Sequence, residues 1–300
     1  MMVVVTRKKL RHYWPVYGLI GIPLGLVLLF NYYPIYNGFV HIFYRWDGDT
    51  LEEWIGLGNI VKMFDSADLG RSFIVVMIFI LANIVKMIPA IVTAVLIHHV
   101  RSNRMQYAYR VAFVIPMIVP GLVFILMWKY FYEPNVGILN VFLRAVGVLG
   151  PIARIQWLSD ANLIIPSLIF QGFPWVGAFG VLIYLAGLQN ISESLYESAS
   201  LDGAGALKTF WHIELPLIMT QVRINLVLMM IGTISGWEFV YLFLGQDGGT
   251  DGVAMVPGLI IFRDSFTKML FGYGCAIGFL LFVITLTVTW LNSRFVRVEK

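Results

Sequence analysis

Glu197-Ser198-Ala199-Ser200-Leu201-Asp202-Gly203, followed after nine residues by Ile213-Glu214-Leu215-Pro216, forms a polar interval between two long apolar runs. Ser194-Leu195-Tyr196-Glu197 has the spacing of a capping box and predicts a short helix starting at Ser194. Leu195, Ala199 and Leu201 can share one face of that helix, while Glu197 and Asp202 remain polar. Gly203 is placed to end it through a positive-φ residue. A second helical piece then carries Phe210 and Trp211 to Pro216, which suits the first turn of the next apolar run. The expected product is a bent helix-glycine-helix knob. A helix lying on a membrane surface is the alternative, but such helices carry Lys and Arg on their polar face. This one carries mainly acids, which favours docking of another protein.

The surroundings of the interval set the fold class. The chain has 300 residues, of which 59% are hydrophobic and 13% charged, against about 25% charged in soluble proteins. A membrane-crossing helix needs about 20 mostly apolar residues. Six segments qualify, at 16–39, 72–97, 108–131, 161–189, 217–245 and 271–292. They are too long and continuous for barrel strands, and lipid leaves no unpaired backbone, so they are read as helices. The expectation is an all-α polytopic membrane protein of six transmembrane helices, with a short cytoplasmic helix between the fourth and fifth. The membrane domain would span 16–292, with the polar loop at 190–216. Tails at 1–15 and 293–300 flank it.

Basic residues orient the bundle. Arg7, Lys8, Lys9 and Arg11, then Arg101, Arg104 and Arg110, Lys208, and finally Arg294, Arg297 and Lys300 fall on one side with five acids. The other side has eight basic residues and eleven acids. Both termini and the 190–216 loop are therefore expected in the cytoplasm. The net charge of +4 reflects this topology; the scatter of basic residues over loops argues against a nucleic-acid partner. The lone Cys275 excludes an internal disulfide, and the five histidines show no metal-ligand spacing. No metal site is expected. The first apolar segment is too long for a cleaved signal and reads as an anchor.

Polar residues inside the spans mark where a solute could pass. A charge at mid-helix costs about 2.5–3.5 kcal/mol on insertion scales and normally faces the bundle interior or water. Lys86 with Asn83 one turn earlier, and Glu238 beside Trp237 and Tyr241, are such positions. Gln171 and Trp175, one turn apart in the fourth span, add an amide and a ring. Carboxylates, amides and aromatic faces are the groups that hold sugars. A structural Lys86–Glu238 ion pair, or a Glu238 that is simply wet, is the alternative. Prolines within or beside the spans, among them Pro89, Pro116, Pro120, Pro166 and Pro174, predict bends. Gly21-x-x-x-Gly25 and Gly274-x-x-x-Gly278 predict close helix approach.

The interval resembles the EAA loop of binding-protein-dependent ABC importer permeases, whose pattern is E-A-A, three residues, G, nine residues, I-x-L-P. Glu197, Ala199, Gly203, Ile213, Leu215 and Pro216 match it, Asp202 lies within it, and Ser198 replaces the middle Ala. The likeness covers nearly the whole chain and is nearest to the carbohydrate-uptake branch, similar to the maltose and glycerol-3-phosphate permeases. Tyr33-Pro34, Gly56-Leu57-Gly58-Asn59, Trp157-Leu158-Ser159-Asp160, Ala186-Gly187-Leu188-Gln189 and Phe271-Gly272-Tyr273-Gly274 carry it, as do Arg110, Pro116, Trp128, Gly137 and Asn140. Gly248-Gly249-Thr250 departs from the usual G-G-P, and the chain lacks the large insertion of the maltose subunit.

The resemblance implies a pore subunit of an ATP-driven importer in a prokaryotic inner membrane. It would pair with a second, non-identical permease subunit, dock two cytoplasmic ATPase subunits that hold ATP and Mg, and receive a sugar or oligosaccharide from an extracytoplasmic binding protein. No cofactor is expected on this chain. Gly203-Ala204-Gly205-Ala206-Leu207-Lys208-Thr209 lacks the Gly before Lys that a phosphate-binding loop requires. The alternatives are a non-sugar polar solute such as glycerol-3-phosphate, and an ion-coupled secondary transporter. An enzyme is disfavoured because no nucleophile-base, paired-carboxylate or metal-ligand constellation is present.

Overall fold

The structure, a computed structural model, describes residues 13–295. Most of the tails expected at 1–15 and 293–300, with all of their basic residues except Arg294, lie outside the described residues. The apolar runs fold as helices: α1 (Trp14–His41, with a π turn at Leu28–Tyr32), α2 (Gly58–Phe64), α3 (Ala67–His98), α4 (Asn103–Ile118) and α5 (Gly121–Phe131). Next come α6 (Ile138–Ala145), α7 (Ala161–Phe170), α8 (Ala178–Leu188) and α9 (Glu193–Leu201). The rest are α10 (Ala206–Leu217) and α11 (Met219–Ser235), α12 (Glu238–Leu244), α13 (Pro257–Phe266) and α14 (Phe271–Phe295). A small sheet interrupts the helices, β1 (Tyr44–Trp46) paired antiparallel with β2 (Glu52–Trp54).

Each of the six expected segments contains helix, yet among the described residues only α1, α3 and Phe271–Asn292 of α14 are single helices long and apolar enough to cross a membrane. The third is α4 plus α5, bent by 86° where Pro120 stands before Gly121 and cannot continue the ladder. The fifth begins with a 65° bend between α10 and α11, two residues after Pro216, and breaks again at Gly236 before α12. Counting each bent pair as one span gives five. The fourth expected span is two short helices, α7 and α8, separated by residues 171–177. This interruption is the largest departure from the sequence expectation, and it creates the site described below.

Two compact units divide the described chain: residues up to Asp65 with Asp264–Phe279, and Ser66–Arg263 with residues from Leu280 on. In the first, Asn59 is buried and donates from Nδ2 to the carbonyls of Ile42 and Tyr44, each at 2.8 Å. Gly272 lies so close to the Tyr44 carbonyl and to Asn59 that a Cβ would have no room. Lys62 sits over the Tyr273 ring at 4.5 Å. The Gly-Leu-Gly-Asn and Phe-Gly-Tyr-Gly sequences thus meet around the hairpin.

The second unit is held by a core of Ala90, Ala94, Ile97, Val181, Tyr184, Leu185, Leu188 and Ile218, which joins α3, α8 and the start of α11. Small residues permit this: a Cβ on Gly180 or Gly187 would collide with Asn225 or Gln221 of α11. By contrast, a Cβ on Gly21 or Gly25 would meet nothing within 4 Å, so this small-residue pair makes no close helix contact among the described residues. Ser66 caps α3 by accepting from the Leu69 N–H at 3.2 Å, and Asp160 caps α7 by accepting from Asn162 N–H at 2.9 Å. Asn140, fully buried, bonds the carbonyls of Pro134 and Ile155.

Removing the Asn59 amide strands two carbonyls, a loss of about 1–3 kcal/mol. Asn59→Ala and Gly272→Ala should each lower the melting temperature of the purified protein in detergent. Unchanged melting in both variants would show that the hairpin is not anchored through these contacts.

Candidate functional site

Two places collect the residues singled out above: a cavity at the interruption between α7 and α8, and the knob formed by α9 and α10. Both belong to the second unit.

The chain leaves the helix at Gln171, where Pro174 and two glycines follow closely. Short turns satisfy part of the backbone: Phe173 N–H donates to Phe170, Trp175 N–H to Gly172 at 2.8 Å, and Gly177 N–H to Trp175 at 3.0 Å. Trp175 is held at φ +60°, a left-handed conformation costing about 1–3 kcal/mol in a bulky residue. Irregular backbone inside a membrane protein persists where it lines a cavity. A cavity of about 640 Å³ opens here. Asn83, Lys86, Gln171 and Trp175 all line it, together with Tyr184 and Asn225.

Lys86 is half-buried, and its ammonium lies 5.9 Å from the centre of the Trp175 ring, within cation–π range. Asn83 donates to the Thr233 hydroxyl at 3.0 Å, tying α3 to α11. The indole N–H of Trp175 has no hydrogen-bond partner among the described residues. Tyr184 is fully buried, beside Asn225. The first turn of α8, begun at Gly177 without a side-chain cap, borders the same space. Gln171 and Trp175 are therefore brought together as expected, but by an irregular segment in place of a helical turn.

Trp237, Glu238 and Tyr241 do not line this cavity. The break after Gly236 makes Glu238 the first residue of α12, where it is exposed, and it forms no ion pair with Lys86 among the described residues. Trp237 stacks on Phe262 at 4.4 Å, and Tyr241 meets the same ring edge-on at 5.3 Å. The sequence pattern missed Tyr184 and Asn225. Asn225 could have been found as another amide within an apolar run; Tyr184 in Leu-Ile-Tyr-Leu carries no such signal.

The knob starts one residue earlier than the capping pattern predicts, at Glu193 after Ser192, and no capping hydrogen bond forms at Ser194. Gly203 does terminate α9 as expected, with φ +72°. Ala204 N–H donates to Ala199 at 2.8 Å and Gly203 N–H to Ser200 at 3.1 Å, the paired bonds of a Schellman end. Ala199 is buried, whereas Glu197 and Asp202 are exposed, and Leu201 points outward at 88% exposure. Ile213, Leu215 and Pro216 are partly buried on α10. Ala199, Asp202 and Ile213 share a hollow of about 500 Å³ with Leu195, Lys208 and His212.

Glu214, the unspecified position of the I-x-L-P pattern, is the residue that fastens this knob. It is fully buried. His99 Nε2 donates to its Oε1 at 2.7 Å, and the Tyr196 hydroxyl donates to the same oxygen at 3.2 Å. His98 Nε2 lies 3.2 Å from that hydroxyl. Burial, and then the Glu214 carboxylate, push the Tyr196 hydroxyl well above the usual phenol range, so it remains a donor throughout the physiological pH range. Both limbs of the knob are thereby bonded to the end of α3. Arg110 donates to Gln106 at 3.2 Å nearby. No group of three or more His, Cys, Asp or Glu able to hold a metal occurs among the described residues.

Residues 87–297 match the family described as binding-protein-dependent transport system inner membrane component. The chain is 26% identical to the probable ABC transporter permease protein YurN of Bacillus subtilis, covering 93% of this chain and 95% of the relative. It is 28% identical to the multiple sugar-binding transport system permease protein MsmF of Streptococcus mutans, covering 96% and 97%. A solved chain of a bacterial ABC transporter involved in the import of the acidic polysaccharide alginate superposes with a TM-score of 0.83, at 22% identity and over 97% of each chain. With the family match covering residues 87–297, well over half of the chain, the protein belongs to the binding-protein-dependent inner membrane components, the permease subunits of ABC transporters.

Proposed function

We propose that this chain is one of two permease subunits of an ATP-driven importer that carries a sugar or oligosaccharide from a binding protein into the cytoplasm. The observation that carries this reading is mechanical. α3 bears Asn83 and Lys86 in the wall of the cavity, and the His98-His99 pair at its end is bonded to both limbs of the knob. A force on the knob therefore reaches the cavity through one continuous helix.

Six segments cross the inner membrane, with both termini and the knob in the cytoplasm, as the basic residues require. Glu197 and Asp202 meet an ATPase subunit, Ala199 and Gly203 set the shape of α9, and Ile213, Leu215 and Pro216 set the direction in which α10 enters the bundle. ATP and Mg reside in the two ATPase subunits. A second, non-identical permease subunit completes the pore. Gln171, Trp175, Asn83 and Lys86 contact the passing solute; an aromatic ring beside amides is the arrangement that holds a saccharide, and the sugar-transport relative supports that class. Trp237, Glu238 and Tyr241, lying apart from the cavity, form a separate outer contact for the solute or the partner subunit.

Gly203→Val places a β-branched side chain at φ +72°, where it is strained. The variant should insert normally yet hydrolyse ATP without transport, and full uptake in reconstituted vesicles would refute the role of this turn. Reversing the charge with Glu197→Lys should reduce co-purification of the ATPase subunit; undiminished assembly would exclude a direct contact there. Glu214→Ala leaves His99 and Tyr196 without their acceptor, and solute moved per ATP should drop by about tenfold, the equivalent of one charge-assisted hydrogen bond. A wild-type ratio of transport to hydrolysis would show that the knob does not act through α3.

A further inference from the structure

The charge of the cavity says more about the solute than its shape does. Among the described residues, Lys86 is the one ionised side chain that lines it, and no Asp or Glu does. The carboxylate that the sequence offered as its counterpart, Glu238, is exposed at the start of α12 and outside the lining. The remaining polar lining is neutral: Asn83, Gln171, Trp175, Tyr184 and Asn225. The first turn of α8 faces the same space, and its unbonded N–H groups add positive potential. An ionisable residue within a membrane-spanning helix, facing a cavity and lacking a counter-ion, marks a site for a charged partner.

We infer that the importer carries an acidic saccharide, one bearing a carboxylate, and that Lys86 is the residue selecting for that charge. The inference rests on the saccharide-permease reading given above. One ammonium balances one negative charge, which suits a monoanionic carboxylate better than a dianionic phosphate ester. With Lys86 near Trp175, the sugar's apolar face can lie on the indole while its carboxylate accepts from the ammonium. Gln171, Asn83 and Asn225 then serve the hydroxyls. A neutral sugar would leave the cation unmatched in a site of low polarity, so the same group that favours an acid disfavours its neutral counterpart.

The test uses cells expressing the complete importer, supplied with a mixture of neutral di- and trisaccharides of glucose, galactose and mannose and their uronate counterparts, with accumulation read by mass spectrometry. Acidic members should accumulate in an ATP-dependent manner. Lys86→Met, an apolar substitution that a membrane helix accepts, should cut that uptake about tenfold or more, while Lys86→Arg keeps it within about threefold, since both cations donate charge-assisted bonds. Accumulation of neutral members in preference to acidic ones, or acidic uptake unchanged in Lys86→Met, would overturn the inference and leave the saccharide permease standing. Absence of ATP-dependent accumulation of either class would bring down the proposed function and this inference together.

Discussion

A peptide group inside a bilayer finds no water to bond, so helices there break only where something else satisfies or solvates the backbone. The 171–177 segment is where this protein spends that tolerance. Gln171 ends α7, Trp175 is forced to φ +60°, and α8 starts with its first N–H groups free of intrahelical acceptors. The result brings a ring, an amide and a helix terminus to one wall of a cavity, opposite a lysine that a continuous helical bundle would have had to neutralise. The other bends lie near prolines, residues that have already given up a backbone donor: the 86° bend stands at Pro120, and the 65° bend, at Ile218, follows Pro216 by two residues.

Much of this was legible in the sequence, for reasons that differ from residue to residue. The segments could be located because apolar length is a strong signal, and Gly203 could be assigned because a helix ending in Asp-Gly leaves few other conformations. Lys86 and Gln171 stand out because polar groups are expensive among apolar neighbours. Glu238 stood out for the same reason and was placed differently by the fold. Its position in mid-span assumed a continuous helix, and the break at Gly236, where a Cβ would strike the Gly232 carbonyl, moves it to an exposed helix start. Periodicity arguments fail wherever the helix does. Glu214 was invisible for another reason: within a polar loop a carboxylate costs nothing, and only the fold shows it buried against His99 and Tyr196.

The buried Glu214 cluster also bears on how the knob would act in the proposed reading. A carboxylate with no solvent exposure, accepting two hydrogen bonds on one oxygen, cannot slide by small amounts; it is either bonded or costly. Beyond it, Ile97, Leu188 and Ile218 belong to one core with Ala90 and Tyr184, and packed interiors transmit displacement instead of absorbing it. Gly180 and Gly187 bring α8 so close to Asn225 and Gln221 that an added methyl would force those side chains to shift. The knob, α3, α8 and the start of α11 are thus tied into one packed body. Three of the helices in that body carry polar lining of the cavity: Lys86 on α3, Tyr184 on α8 and Asn225 on α11. In the proposed reading, a displacement of the knob would reorient that wall as a unit and change the exposure of the cavity without first breaking the contacts within it.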